Sequence, residues 1–260
     1  MDTHLLENKI YLLSLDVDKT FLEESDNFSK TLNLLPENDR NKIQKYRNLD
    51  DQYRKLCSKL LQFYGISKIT GMRLNKIIFK ANQLGKPYLD NGRRVEFNMS
   101  TGISNVVMAL YAAPDFHKIR PIGVDIIDLD EINSLEDIEL LHDSFHEKEI
   151  ILLESLTNIE EARQYACLFW TLKESYSKML GSGLSTTLAD LDYSSVPLPK
   201  NNKVYATSMH IKGRDCIVYI KQSTESNCLI SVCIWSDNIN PEVSELAIKI
   251  SEVSDYLRTH

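Results

Sequence analysis

The sequence lacks the features of membrane-spanning, disulfide-stabilised and zinc-binding proteins. No apolar run approaches the ~20 residues that a transmembrane helix needs, and acids stand near the N-terminus where a secretory signal has basic residues. The 5 cysteines are an odd number, and no two form a C-x-x-C pair. We therefore expect a cytoplasmic protein without membrane contact, in which the cysteines are small core residues.

The two commonest nucleotide-binding loops are also missing. The sequence contains neither G-x-x-x-x-G-K-[ST] nor G-x-G-x-x-G. The glycines of GSGLS, residues 181–185, follow a predicted helix rather than opening one, so they do not form a phosphate cradle. These absences exclude the most frequent nucleotide-binding folds and leave other α+β proteins open.

Charge is unevenly distributed along the chain. The net charge of −7 argues against general nucleic-acid binding. Residues 39–59 nevertheless contain 7 Lys or Arg against 3 acids, and residues 68–94 contain 7 against 1, whereas residues 125–161 contain 13 acids and one lysine. This order suits a protein that holds an anion with its first half, although solvated surfaces have the same pattern.

Hydrophobic patterning predicts an α+β fold with two similar subdomains, residues 1–115 and 116–260. In each half, a strand is followed by helix and then by further strands. The predicted elements are a strand at 9–17, a helix or helix pair at 38–64, short strands within 85–100, buried strands at 105–113 and 121–129, helices at 135–180, an antiparallel meander at 203–235 and a last helix at 241–257.

The stretch FWTLKESYSKMLGSGL, Phe169–Leu184, has the pattern of an amphipathic helix that ends at a glycine. Trp170, Glu174 and Lys178 follow at four-residue steps and so lie on one stripe. The residues expected to face the core are Leu168, Leu172, Tyr176, Met179 and Leu180. Such a stripe is typical of a solvated helix face, whose Glu–Lys pair contributes only about 0.3–0.5 kcal/mol.

Asp125 stands within the apolar strand IGVDIIDL. A buried carboxylate is costly unless a cation or donor meets it, so this residue either reaches solvent at the strand end or binds a metal. Mg²⁺ favours one or two carboxylates together with water and phosphate oxygens. Glu174 offers a second carboxylate, and Lys178 offers a charge for a phosphate.

At this point the sequence resembles the 4′-phosphopantetheinyl transferases of the surfactin type. GVDI at residues 123–126, followed by FWTLKESYSKMLGSGL, is similar to their signature G-[IV]-D, [FW]-x-x-K-E-[AS]-x-x-K and G-x-G-[LF]. Three further segments agree in order: Arg40–Leu61 resembles the first basic helix, Gly85–Leu89 the GKP turn and Phe97–Ser100 the F-N-x-S strand. The resemblance spans roughly residues 36–184.

The resemblance implies a pseudo-twofold pair of α+β subdomains with coenzyme A bound between them. It implies transfer of the 4′-phosphopantetheine arm to a serine of an apo carrier protein, with release of adenosine 3′,5′-bisphosphate. The stand-alone form is similar to fungal enzymes that activate aminoadipate reductase for lysine biosynthesis. Carriers of fatty acid, polyketide and nonribosomal peptide synthesis remain open, and we expect a monomer.

The resemblance also implies roles for the residues of the two signature segments. Asp125 and Glu174 would bind Mg²⁺, and Lys178 would bind the pyrophosphate. Glu174 is also the position proposed as general base for the serine hydroxyl. Trp170 would be a packing residue.

The earlier segments would bind coenzyme A. Lys42 would approach the 3′-phosphate, and the turn of Gly85 and Lys86 would approach the adenine end. The nucleotide phosphates would contact the four residues Asn98, Met99, Ser100 and Thr101.

Two positions depart from the family pattern. Ile127 stands where bacterial members have a third acid, so water is expected to complete the metal shell. Thr101 stands where a histidine is common, and a hydroxyl donates to phosphate without carrying charge.

Two other functions stay open at this stage: a noncatalytic relative that binds coenzyme A or a carrier protein, and an unrelated nucleotide-binding or scaffold α+β protein. His142, His146 and Glu149 have near-helical spacing, but without a second cluster we interpret them as surface residues rather than metal ligands. Their segment, SFHEKE, lies where the family has residues near the carrier-protein entry.

Overall fold

The computed structural model describes residues 8–24, 26–90, 94–181, 187–200, 202–237 and 239–260. The chain divides into two compact units, the first formed by residues 1–80, 87–119 and 242–260 and the second by residues 81–86 and 120–241. Both combine helices with sheets, which confirms the predicted α+β class. None of the described helices combines the length and the apolar composition that a membrane span requires.

The elements of unit 1 are β1 (Lys9–Asp16), α1 (Lys19–Glu23), α2 (Asn27–Leu32), α3 (Glu37–Ile43), α4 (Leu49–Thr70), β2 (Phe79–Ala81), β3 (Pro87–Leu89), β4 (Val95–Thr101), β5 (Asn105–Ala112), β10 (Glu242–Ile248) and α8 (Ile250–Thr259), and only Ala81 of β2 belongs to unit 2. Four strands form a sheet in the order β10-β1-β5-β4, in which β1 and β10 are parallel and the other pairs are antiparallel. The strands β2 and β3 pair separately.

The long helix α4 supplies the core of unit 1. It begins at Asn48, whose side chain accepts a hydrogen bond from the Asp50 amide, and ends at Gly71 in the left-handed conformation. Leu56 and Leu60 are buried, and the helix packs on β5. The helix pair expected at 38–64 is thus confirmed as α3 and α4, with α4 extending to Thr70.

The elements of unit 2 are β6 (Ile122–Asp128), α5 (Leu135–Leu140), α6 (Glu147–Ser155), α7 (Ile159–Leu180), β7 (Tyr205–Ile211), β8 (Arg214–Ser223) and β9 (Cys228–Trp235). The strands form an antiparallel sheet in the order β6-β9-β8-β7, with the long helix α7 packed on β6 and β9. The expected meander is confirmed as β7, β8 and β9.

The C-terminal segment differs from its prediction. Residues 242–260 were assigned to the second subdomain with one helix at 241–257, but they form β10 and α8 and belong to unit 1. The segment has apolar residues at a helix-like spacing, at Val243, Leu246 and Ile250. Up to Ile248, however, its backbone forms hydrogen bonds with β1, which lies more than 220 residues earlier in the sequence. The helix proper starts only at Ile250. The pseudo-twofold relation between the units stays a prediction.

Candidate active site

In the candidate site of unit 2, the backbones of β6 and α7 lie unusually close together. A Cβ atom added to Gly123 in β6 would overlap the Ser175 carbonyl oxygen and the Met179 backbone nitrogen, and would lie 2.9 Å from the Met179 Cα. Only glycine leaves room for this approach. The strand therefore lies directly against the last turns of α7.

This approach brings Asp125 to Lys178. Side chains alternate along a strand, so Asp125 faces the same helix as Gly123. Its Oδ1 accepts a hydrogen bond from the Lys178 amine at 2.5 Å. Asp125 is buried, whereas the Lys178 side chain is 31% exposed. The amine offsets the cost of burying the carboxylate and still reaches solvent, where a phosphate could meet it.

Glu174 adds a second, half-buried carboxylate. Burial raises the pKa of Glu174, the charge of Asp125 raises it further, and Lys178 lowers it in part. No side chain or amide among the described residues donates a hydrogen bond to this carboxylate. Two carboxylates and one lysine thus share one small region, and one carboxylate has oxygen atoms available to a ligand.

The donor set fits Mg²⁺ with two protein ligands. Within the described ranges there is no group of three or more His, Cys, Asp or Glu side chains that could hold a metal. Ile127, at the position of the third acid in bacterial members, is buried in the core of unit 2. Because Mg²⁺ usually binds one or two carboxylates together with water and phosphate oxygens, two carboxylates would be enough for such an ion.

The rest of the signature helix behaves as expected except at its end. Trp170 is half-buried and packs against the core of unit 2, as do the buried residues Leu172 and Met179. Leu180, expected in the core, is 43% exposed. It is the last residue of α7 before Gly181, which ends the helix in the left-handed conformation. The trailing Gly183 and Leu184 lie outside the described residues.

Sequence reasoning missed a fully buried ion pair beside the site. The Lys173 amine lies 2.9 Å from the Glu149 carboxylate, with both side chains 0% exposed, and also donates to the carbonyls of Leu188 and Leu191. Burial lowers the pKa of Lys173. The interpretation of Glu149 as a surface residue was therefore wrong.

A signal for this pair was present in the sequence. Lys173 follows Phe169 by four residues and precedes Tyr176 by three, and both aromatic residues are buried. A lysine on the apolar face of a helix requires a buried partner. His146, also interpreted as a surface residue, caps α6 by accepting from the Lys148 amide, and Glu149 accepts from the His146 amide in return.

The other residues predicted to bind coenzyme A lie in unit 1, apart from Gly85 and Lys86. Lys42 is exposed on α3. Asn98 and Ser100 are buried on the face of β4 opposite Phe97, while Met99 and Thr101 are half-buried. The structure therefore brings Asp125, Glu174 and Lys178 together, and the coenzyme A contacts in unit 1 stay predictions.

The GKP turn is built around Gly85, which has a φ of +85° that favours glycine. Its neighbour Lys86 donates hydrogen bonds to the carbonyl oxygens of Ile122, at 3.0 Å, and Met179, at 3.3 Å. These residues lie in β6 and α7, so the turn is attached to the same two elements that carry Asp125 and Lys178.

Two family models match the chain over consecutive segments. The family described as 4′-phosphopantetheinyl transferase, N-terminal, matches residues 22–112. The 4′-phosphopantetheinyl transferase superfamily matches residues 121–233, which include β6, α7 and the site between them.

Individual proteins of known activity are also similar. The L-aminoadipate-semialdehyde dehydrogenase-phosphopantetheinyl transferase of Saccharomyces cerevisiae is 27% identical over 246 residues, 93% of this chain and 88% of the yeast protein. Its Candida glabrata counterpart is 26% identical over 86% of this chain and 83% of its own. A 4′-phosphopantetheinyl transferase of Aneurinibacillus migulanus is 33% identical over 54% of this chain and 53% of its own.

Proposed function

Since the chain belongs to the 4′-phosphopantetheinyl transferase superfamily, we propose that it transfers the 4′-phosphopantetheine arm of coenzyme A to a serine of an apo carrier protein. The observation that carries this proposal is the convergence of Asp125, Glu174 and Lys178 on one region of unit 2. A noncatalytic relative would have no need of this set.

The reaction exchanges one bond to phosphorus for another. The serine oxygen attacks the phosphorus next to pantetheine, the bond to the second phosphate breaks, and adenosine 3′,5′-bisphosphate leaves. Glu174 accepts the hydroxyl proton, since none of the described residues donates a hydrogen bond to its oxygen atoms. Lys178 donates to the pyrophosphate oxygens as their negative charge grows.

Asp125 and Glu174 are the residues that would hold Mg²⁺. When bound, the ion neutralises charge on the pyrophosphate oxygens. Asp125 holds the Lys178 amine at 2.5 Å, so the amine has a fixed place beside the two carboxylates. Such prior orientation reduces the entropy that must be lost on reaching the transition state.

The contacts proposed for coenzyme A follow from the resemblance: Lys42 with the 3′-phosphate, the turn of Gly85 and Lys86 with the adenine end, and residues 98–101 with the nucleotide phosphates. As carrier we propose the aminoadipate reductase of lysine biosynthesis, because the two yeast relatives are named as transferases of L-aminoadipate-semialdehyde dehydrogenase. We further propose that the protein acts as a cytoplasmic monomer.

The test is incubation with coenzyme A, Mg²⁺ and a panel of apo carriers, followed by intact mass measurement. The panel includes the carrier domain of aminoadipate reductase and carriers of fatty acid, polyketide and peptide synthesis. A gain of one phosphopantetheine group on a carrier, lost with Asp125→Asn/Glu174→Gln, is expected. No gain on any carrier, while a positive-control transferase modifies the same samples, would contradict the proposal.

A further inference from the structure

Lys86 makes contacts that a phosphate-binding lysine does not need. Its amine donates to the carbonyl oxygens of Ile122 and Met179, at 3.0 and 3.3 Å. Ile122 precedes Gly123, and Met179 supplies the backbone nitrogen that a Cβ at Gly123 would overlap. The amine therefore bridges β6 and α7 where the two backbones approach.

The Met179 carbonyl lies at the end of a helix, where carbonyl oxygens need donors from outside the helix. In this last turn of α7 the Gly181 amide donates to the carbonyls of Ser177 and Lys178, and Lys86 donates to that of Met179. A positive charge at this end also favours the helix dipole. The side chain of Lys86 covers the turn as well, because its Cδ would lie 3.4 Å from a Cβ built on Gly181.

The bridge lies next to the reacting groups in the sequence. Met179 directly follows Lys178, and Ile122 precedes Asp125 by three residues of one strand. A separation of β6 from the last turn of α7 would therefore lengthen the 2.5 Å contact between Lys178 and Asp125. Small displacements of this kind are costly, since about 1 Å of misplacement can lower a rate by 10²-fold.

We propose that Lys86 is a positioning residue for the transfer reaction: its amine ties β6 to the end of α7 and so keeps Lys178 and Asp125 in register. This inference rests on the proposed function. It gives the Lys86 side chain a role that does not involve contact with coenzyme A. The backbone of the turn remains the proposed contact for the adenine end of coenzyme A.

The two roles predict different kinetics. If Lys86 positions the site, Lys86→Met lowers kcat about tenfold and leaves KM for coenzyme A within about twofold, since chemistry rather than binding is affected. The same factor is expected with dephospho-coenzyme A. Lys86→Arg keeps two donors for the two carbonyls and should recover most of the rate.

The experiment compares Lys86→Met, Lys86→Arg and a control, Lys80→Met. Lys80 is an exposed lysine of unit 1 paired with Asp90. Steady-state kinetics are combined with hydrogen exchange of the last turn of α7, read at the Gly181 amide, which donates to Ser177 and Lys178. We expect faster exchange in Lys86→Met alone, together with its lower kcat.

Three results would overturn the proposal. A raised KM with normal kcat would make Lys86 a ligand of coenzyme A, and a lower melting temperature with normal kcat would make it only a stabilising residue. Unchanged exchange would show that the bridge does not hold α7. If the wild type modifies no carrier, the proposed function fails, and the exchange result still decides whether Lys86 anchors the helix.

Discussion

The Lys178 amine lies 2.5 Å from the Asp125 carboxylate, although 53 residues separate them in the sequence. The contact depends on the backbone approach at Gly123 and not on flexible loops, because both residues belong to regular elements. Sites on helices and strands are held more precisely than sites on loops. The geometry of the site therefore depends on how closely β6 packs against α7.

Gly123→Ala tests this dependence. The added methyl group would overlap backbone atoms, which cannot rotate away, so the strand and helix must separate. We expect a loss of at least about 2–3 kcal/mol in the free energy of unfolding, measured with urea, and loss of transfer activity.

Gly71→Ala is the matched control for Gly123→Ala. A Cβ at Gly71 meets nothing within 4 Å, so only its φ of +68° opposes the substitution. The cost there should be about 1–2 kcal/mol. Equal losses in the two variants would mean that the close approach at Gly123 is unimportant.

The buried pair of Lys173 and Glu149 gives a prediction about stability. Lys173→Met leaves the Glu149 carboxylate buried without its counter-charge, although the amides of His146 and Tyr193 still donate to it. We expect a loss of about 3–5 kcal/mol in the free energy of unfolding.

An exposed lysine serves as the control for this pair. Lys212 pairs with Asp190 at 3.1 Å in a largely solvated setting. Lys212→Met should change the free energy of unfolding by no more than about 0.5 kcal/mol. Similar small effects of Lys173→Met and Lys212→Met would show that the buried pair contributes nothing beyond an exposed one.

Lys42→Ala tests the predicted contact with the 3′-phosphate. It should raise KM for coenzyme A more than KM for the carrier, and the effect should shrink with dephospho-coenzyme A, which lacks that phosphate. Steady-state kinetics with both cofactors measure this. Lys30→Ala, at an exposed lysine of α2, is the control. Equal loss with both cofactors would contradict a role in reading the 3′-phosphate.

Local periodicity was enough to predict part of this architecture. Strand alternation around Asp125 and the four-residue steps of Trp170, Glu174 and Lys178 depend only on backbone geometry. They indicated that Glu174 and Lys178 share one helix face. That this face meets Asp125 was implied by the family resemblance, and the structure brings the three side chains together.

Long-range partners were the part that could not be predicted. The pairing of β10 with β1 joins opposite ends of the chain, and nothing in residues 242–248 identifies that partner. The partner of Lys173 and the carbonyls bound by Lys86 are likewise fixed only by the packed fold. Leu180 keeps the apolar spacing of α7, but at the end of the helix its side chain is exposed.

The central claim is that Glu174 and Asp125 take part in the transfer reaction. Glu174→Gln keeps the size of the side chain and removes its charge. Since this carboxylate accepts no hydrogen bond from the described residues, stability should change by no more than about 0.5 kcal/mol. Glu161→Gln, at an exposed position of the same helix, is the matched control.

The decisive measurement is the rate of phosphopantetheine transfer by Glu174→Gln over a range of Mg²⁺ concentrations. We expect a drop on the order of 10² or more, with Asp125→Asn behaving alike and the double variant losing much less than the product of the two. Near-normal turnover of Glu174→Gln at low Mg²⁺ would contradict the account and leave Glu174 without a role in the transfer reaction.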